Sequence, residues 1–421
     1  MENQDNIGIF IFDIEIGKLK YDYNQRKCYF QYNPLFLDSR KHQNIFPFIF
    51  KRVKQVQVFT NFDGETFHGL PPMIADVLPD SFGNIIFQKW LVNKTNLTSK
   101  ITPVQQLAYL ANRGMGAIEF KPSIEIPTIH SIDIDEIIGI LNQVLDLKNN
   151  TLQENLSDLG LLNIFKIGTS AGGARPKIRV SEHKKTGKLI PGDLEFSDDY
   201  NHYLVKLSLN ESNSYNKEKV EFAYYKLAKL LNINMMDSKL IDSKHFATLR
   251  FDRINGEKIH ILTACGLTGW DFMKPENSSY ENLFKLAVNL KIPYKEIQEL
   301  FKRMVFNLVF ANIDDHLKNH SFIYDKKNDL WHLSPAYDLT YPLNALQNYL
   351  KISRALSINE KRENIEYIDI ELIANKFSIK NPKKIILQVQ NAIDSWDEIT
   401  TNLEIPKNVS EAISKEFKIF V

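Results

Sequence analysis

The sequence predicts an α+β chain on three observations. Short apolar and aromatic runs broken by turn signals fill residues 7 to 59. Strand signals return between Phe165 and Leu207. The strongest amphipathic helical pattern lies just after Pro293, ahead of a C-terminal stretch that also reads as helical. The composition agrees with a globular protein: 421 residues, 43% of them apolar and 24% charged. At roughly 100 to 200 residues per domain, that length implies two or three domains, each able to bury its own core. With 52 basic against 51 acidic side chains, nucleic-acid binding by bulk charge alone is excluded, although a local basic patch is not. Cys28 and Cys265 stand far apart, so neither a disulfide framework nor a CxxC zinc site is available, and a reducing compartment fits best. The opening MENQDNIGIFIF has no basic segment before a long apolar core, and no run approaches about 18 uncharged apolar residues. A cytoplasmic protein that spans no membrane is expected. No repeat or low-complexity linker occurs.

In chain order, GIFIFDIEIGKLKYDY, KCYFQYNP and QVQVFTNFDG alternate as strands of an antiparallel layer. After Leu70-Pro71-Pro72 the spacing becomes helical, through LPDSFGNIIFQKWL and ITPVQQLAYLANRGMG, so residues 1–150 form one α+β unit. FKIG, KIRVS and HYLVKLS then read as three strands of a small sheet, separated by a glycine loop and the turn HKKTGK. A helix follows from about Asn216 to Leu231, with Val220, Ala223, Leu227, Leu230 and Leu231 on one face. KHFATLRFDRINGEKIHIL is a strand pair with Asn255-Gly256 as its hairpin turn. Behind Pro293, favourable in a first helical turn, Ile297, Leu300, Phe301, Met304, Val305, Leu308 and Val309 fall on one buried face. From about Ile368 the pattern, punctuated by Pro382 and Pro406, is a helical cap.

The chemistry concentrates where the long helix ends, at Asn312-Ile313-Asp314-Asp315-His316-Leu317-Lys318-Asn319. SFIY and LWHL around DKKND make a hairpin that returns the chain to its starting end. Asp314, Asn319 and Asp338 of Ser334-Pro335-Ala336-Tyr337-Asp338 should therefore meet. Two carboxylates and a carboxamide are hard oxygen ligands suited to Mg²⁺. The DxxxxN spacing is that of a protein-kinase catalytic loop, and an Asp beside an aromatic then stands in the DFG place. Upstream, residues 168 to 174 place Gly168, Gly172 and Gly173 between two strands, where backbone N–H groups reach phosphate. Without GK[ST] and a following helix, the Walker A and Rossmann readings fail. Lys206 sits in a strand after Val205 as in VAIK, and Glu221 lies on the next helix where it could orient that lysine. Each part also has an ordinary reading: a GG pair turns hairpins, a strand lysine is commonly a solvated edge residue, and a lone Glu is commonly surface charge. His260, His320 and His332 lack zinc-ligand spacing, which disfavours an HD-type hydrolase built on Asp315 and His316.

At these residues the sequence resembles the HipA family of serine/threonine kinase toxins. LPDSFGN with RGMGAIEFKPS, TSAGGARPK, LVK, RFDR, and NIDDHLKNHSF with SPAYDL match in order. The resemblance implies a two-lobed protein-kinase-like α+β fold with an additional N-terminal β-rich subdomain and a mostly helical C-terminal lobe. On that frame residues 151–255 are the N-lobe-like core and 256–421 the C-terminal lobe. It further implies ATP and Mg²⁺, with Asp314 as catalytic base and Asn319 and Asp338 as metal ligands. Lys206 would contact phosphates, Ala171, Gly172, Gly173 and Ala174 would form the phosphate loop, and Leu249 and Phe251 would flank the adenine. Ser170 falls on the autophosphorylation serine, and Glu221, His316 and Lys318 would support the site. Kinship also implies a HipB-like helix-turn-helix antitoxin, operator DNA through that antitoxin, and a translation component such as an aminoacyl-tRNA synthetase as target. A nucleotide-binding co-repressor of weak activity and a small-molecule kinase are the alternatives. Arg175 stands where the family often has Gln and Asp315 where it has a small residue, so the roles of both stay open.

Overall fold

A computed structural model describes residues 6–78, 102–124, 133–139, 141, 177–192, 197–209, 215–342 and 353–421. The chain separates into two compact units: Met1–Glu211 with Ala247–Leu262 and Gly266–Gly269, and Ser212–Phe246 with Thr263–Cys265 and Trp270–Val421.

In the first unit, β1 (Asn6–Ile11), β2 (Ile14–Asp22), β3 (Lys27–Tyr32), β4 (Gln57–Phe59) and β5 (Ile118–Lys121) form an antiparallel sheet of order β4-β3-β2-β1-β5. The period of two puts Ile7, Ile9 and Ile11 on the same buried face as Leu19, Phe30 and Tyr32. Phe30 stacks on Phe50 with ring centroids 4.0 Å apart. The antiparallel layer expected from residues 7 to 59 is present. Its fifth strand is not legible in the sequence, because four residues, Ile-Glu-Phe-Lys, are too few to establish an alternation. Helix α1 (Pro103–Leu110) begins with Pro103 and a reciprocal capping box between Thr102 and Gln105, and it packs beside β1, β2 and β5.

The same unit carries β6 (Lys177–His183), paired antiparallel with both β7 (Leu189–Pro191) and β8 (Tyr200–Lys206). These are the predicted KIRVS and HYLVKLS strands, whereas FKIG lies outside the described residues. Helix α2 (Lys217–Leu230) and β9 (Ser238–Ile241) follow in the chain and belong to the second unit. Strand β10 (His245–Leu249) leads back to the first unit, and β11 (Arg253–Ile254) pairs with β12 (Glu257–Lys258). Asn255 and Gly256 turn that hairpin with φ of 50° and 74°, the left-handed pair that a two-residue turn requires.

The RFDR segment is held by a buried ion cluster. Arg250 donates from Nε and Nη2 to the two oxygens of Asp252, both at 2.9 Å. Arg253 Nη1 donates to Asp252 Oδ2 at 2.8 Å and to the Gly116 carbonyl at 2.9 Å, while its Nη2 reaches the Gly114 carbonyl. Gly116 closes the ring by donating its N–H to Asp252 Oδ2, with φ at +75°, where a side chain would be strained. The two arginine charges hold the Asp252 carboxyl far below the usual carboxylate range against the burial that opposes them.

In the second unit, the Asn216 side chain caps α2 by accepting from Lys219 N at 2.8 Å. Val220, Ala223, Leu227 and Leu231 are buried as expected, but Leu230 is 55% exposed. It lies at the margin of the stripe in the last turn, where the chain already turns away. Strand β13 (Ile261–Thr263) begins in the first unit and ends in the second, where α3 (Tyr280–Asn289) and α4 (Tyr294–Val309) follow. All seven apolar positions predicted for α4 are buried, and so are Arg303 and Asn307. Strands β14 (Ser321–Asp325) and β15 (Leu330–Leu333) form the expected hairpin, with Phe322 opposite Leu333. The helical cap comprises α5 (Tyr367–Lys376), α6 (Pro382–Asn391), α7 (Trp396–Asn402) and α8 (Lys407–Ser414). Pro382 opens α6 and Pro406 immediately precedes α8. Trp396 meets the Tyr224 ring of α2 edge-on at 5.5 Å.

Asp252→Ala strands two buried guanidinium groups without their anion, so we expect a loss of about 3–5 kcal/mol. Because folding depresses this carboxyl, the stabilisation is complete above the unfolded value near pH 3.9 and declines as pH falls below it. Urea denaturation of wild type and variant at pH 7 and pH 3 measures both: a gap that does not narrow in acid contradicts the assignment.

Candidate functional site

The end of α4 delivers the chain into a tight polar turn. Phe310 caps the helix and passes its carbonyl to the Tyr224 hydroxyl at 2.7 Å, after which Ala311 turns with φ at 51°. Asp314 is exposed and its neighbour Asp315 is buried. A single 3₁₀ turn, Leu317–Asn319, then folds the loop onto itself: Asn319 N–H donates to the His316 carbonyl at 2.8 Å. The Asn319 side chain donates from Nδ2 to the Asp314 carbonyl at 2.9 Å, which leaves Oδ1 as its acceptor.

The β14–β15 hairpin brings the chain back, as its length and turn predict. Ser334 N–H donates to the Ser321 carbonyl at 3.1 Å, and Tyr337 donates its hydroxyl to the Lys318 carbonyl at 2.8 Å while also meeting Ser321 Oγ. Asp338 adopts φ of 52°, a left-handed conformation that Asp tolerates at a cost. Its carbonyl accepts from Asn312 Nδ2 at 3.4 Å. Burial pushes the His316 ring below its usual value, and the charges of Asp314 and Asp338 oppose that shift, so both carboxylates act on one imidazole. Lys318 lies over the Phe272 ring at 5.2 Å, and Phe272 also packs on His316.

Asp315 does not share this surface. Its carboxylate is fully buried, accepting from the Tyr280 hydroxyl at 2.6 Å, from Leu356 N–H at 3.3 Å and from Arg354 Nη1. Burial pushes this carboxyl up, and the Arg354 charge pulls it back down. The partners Tyr280 and Arg354 lie 35 and 39 residues away, so no spacing in the sequence announces them. Asn307 was legible only as a polar residue inside an apolar helix.

The other proposed site residues fall as follows. Lys206 ends β8 and is 6% exposed, paired in register with Lys177. Leu249 ends β10, and Phe251 stands between Arg250 and Asp252 of the buried ion cluster. Glu221 lies on α2 and is 1% exposed, not a surface charge. Ser170, Ala171, Gly172, Gly173, Ala174 and Arg175 lie outside the described residues.

Among the described residues no group of three or more His, Cys, Asp and Glu forms a metal cage. Two carboxylates and one amide oxygen nevertheless suit Mg²⁺, which takes few protein ligands and completes its octahedron with water and phosphate oxygens.

The chain has an α+β kinase-like fold with a β-rich N-terminal part. It superposes on a chain from the Shewanella oneidensis HipA, HipB and operator DNA complex with a TM-score of 0.64, covering 97% of this chain and 94% of that one at 16% identity. The chain belongs to the HipA family: residues 169–396, more than half of it, match the HipA-like C-terminal domain, and residues 7–121 match the HipA N-terminal domain. The order of motifs had implied this membership. Among curated relatives, the chain is 26% identical over 182 residues to the serine/threonine-protein kinase toxin HipA of Shewanella oneidensis. It is 22% identical over 214 residues to Y4dM of Sinorhizobium fredii, named as a kinase. The aligned parts cover 36% and 46% of this chain and 39% and 51% of those relatives.

Removing Arg354 leaves the Asp315 charge buried without its counter-ion. Arg354→Ala should cost about 3–5 kcal/mol. Combined with Asp315→Ala, the loss should fall short of the sum of the single losses by about 0.5–3 kcal/mol. Urea denaturation of the four proteins gives this coupling, and additive losses would show that the two groups do not depend on each other.

Proposed function

We propose that this chain is an ATP- and Mg²⁺-dependent serine/threonine protein kinase of the HipA type, the toxin of a toxin–antitoxin pair. The observation that supports the reading is that the two segments lie side by side: Asn319 closes on the Asp314 carbonyl, Tyr337 reaches the Lys318 carbonyl, and Asn312 reaches the carbonyl of Asp338. No helix among the described residues is long and apolar enough to cross a membrane.

In this reading Asp314, the exposed member of the loop, orients the attacking hydroxyl and receives its proton. Asn319 and Asp338 would hold Mg²⁺, which when bound would supply positive charge against the nucleotide phosphates. Lys206 pairs with the nucleotide phosphates and Glu221 orients that lysine. The backbone of Ala171 to Ala174 cradles the phosphates, and Leu249 and Phe251 flank the adenine. Most of the rate then comes from positioning and charge neutralisation. His316 and Lys318 hold the loop's shape through Phe272. The likeness to a HipA chain crystallised with HipB and operator DNA supports a HipB-like antitoxin that carries this protein to DNA. The target is proposed to be a translation component such as an aminoacyl-tRNA synthetase.

Asp314→Ala and Asp338→Ala should each abolish transfer of the γ-phosphate while leaving the melting temperature within a few degrees of wild type. Incubation with radiolabelled ATP checks this, and label at the wild-type rate in either variant would refute the assignment. Nucleotide binding without any incorporation by the wild-type chain would instead favour a co-repressor. A second outcome concerns Ser170, proposed as the self-modified residue. A phosphate there adds about −1.5 to −2 charges beside the phosphates that the loop must cradle. Ser170→Ala should stay active longer and Ser170→Asp should bind ATP several-fold more weakly. Titration calorimetry giving equal affinities would remove this switch.

A further inference from the structure

Behind the Asp314 loop, buried polar groups of the second unit form one continuous hydrogen-bond relay. Asn312 Nδ2 donates to Asn307 Oδ1 at 2.9 Å and reaches the Asp338 carbonyl at 3.4 Å. Asn307 Nδ2 donates to the Tyr280 oxygen at 3.0 Å, and the Tyr280 hydroxyl donates to Asp315 Oδ2 at 2.6 Å. Arg354 closes the circuit, binding Asp315 through Nη1 and the Asn307 carbonyl through Nη2 at 2.9 Å. Every side chain in it is 5% exposed or less.

Three features distinguish this relay from polar filler. From Asn312 through Asn307 and Tyr280 the donors point in one direction, towards the Asp315 anion, so each bond in that stretch polarises the next, while Asn312 also donates back to the Asp338 carbonyl. One end grips the carbonyl of a residue whose left-handed backbone is costly and must be held by its surroundings. Finally, stability does not demand it: well-packed apolar residues at such positions are commonly as stable as a buried ionic network. Asn307 nevertheless interrupts the apolar face of α4, beside Leu308 and Val309.

We infer that Tyr280, Asn307 and Asn312 are positioning residues that fix the spacing between the Asp314 loop and the Asp338 turn, with Asp315 and Arg354 as the anchor. Asp315 is thereby assigned to the support of the site and not to its surface. The consequence for metal binding rests on the kinase reading, whereas the coupling of the two segments rests on the relay alone.

The test follows both ends of the relay in the full chain. Tyr280→Phe removes one hydroxyl at the anchor end, and Asn312→Ala cuts the link at the Asp338 end. Hydrogen exchange by mass spectrometry should show Tyr280→Phe raising exchange at residues 337 to 340 as well as at 313 to 319, and Asn312→Ala raising it in the same two segments and at residues 354 to 358. Electron paramagnetic resonance of Mn²⁺ with a nonhydrolysable ATP analogue should show each variant binding the metal about tenfold more weakly than wild type. Exchange that rises only near residue 280 and residues 354 to 358, with Mn²⁺ affinity unchanged, overturns the inference. If Tyr280→Phe does not fold, Asn312→Ala decides alone: residues 313 and 338 are its direct neighbours, so a rise that extends to residues 354 to 358 supports the relay, and a rise confined to 313 to 319 and 337 to 340 overturns it. A wild-type chain that binds neither Mn²⁺ nor the analogue removes the kinase reading, and the exchange result still decides the relay.

Discussion

Asp315 takes a carboxylate out of water directly beneath an exposed loop, and the organisation of the second unit follows from the need to satisfy that charge. An unpaired buried carboxylate costs several kcal/mol. Hydrogen bonds to charged groups contribute about 1.5–3 kcal/mol each. The Tyr280 hydroxyl, the Leu356 N–H and the Arg354 guanidinium supply three of them, enough to offset the penalty. The donors come from two segments far apart in the chain, so satisfying one anion fixes α3 and the strip from Arg354 to Leu356 against the turn that displays Asp314. The neighbouring backbone repeats the attachment, with Ala355 N–H donating to the Ile313 carbonyl at 2.8 Å.

The first unit solves a similar problem in another way. Asp252 is also fully buried, but its counter-charges are its sequence neighbours Arg250 and Arg253, and the distant partners are the backbone groups of Gly114 and Gly116. Two segments that a motif comparison treats as separate signatures, RGMG and RFDR, are thus the two halves of one ion cluster. Their function in the fold is mutual: the acid binds both guanidinium groups and the Gly116 N–H, and Arg253 donates to the Gly114 and Gly116 carbonyls.

What the sequence made legible follows from this difference between local and distant partners. The Asn255-Gly256 turn, the apolar face of α4, and the return of the β14–β15 hairpin are set by residues within a few positions of one another, and each appears in the structure as the spacing implied. The approach of Asp338 to the Asp314 loop was legible for the same reason, since a hairpin of known length joins them. Strand β5 was not, because its four residues exist as a strand only by pairing with β1 more than a hundred positions earlier. Nor was the exposure of Leu230, which depends on what covers the end of α2. The burial of Asp315 was hidden for the same reason as its partners: nothing near Asp315 distinguishes it from Asp314, and both read as loop acids.

The contrast between these adjacent aspartates shows how one loop serves two purposes. Asp314 faces solvent, and its main-chain carbonyl is held by Asn319. Asp315 spends its charge inward. A single residue step along an irregular backbone separates the exposed acid from the buried one, and Tyr280, Leu356 and Arg354 hold the buried one. Burial raises the Tyr280 phenol well above its usual value, with the Asp315 charge adding to the effect, so the hydroxyl stays protonated and remains a donor throughout the neutral range. The Tyr280 end of the support therefore does not titrate near neutrality, whereas burial pushes the Asp315 carboxyl up, so acid that reaches the carboxylates discharges this anchor as well.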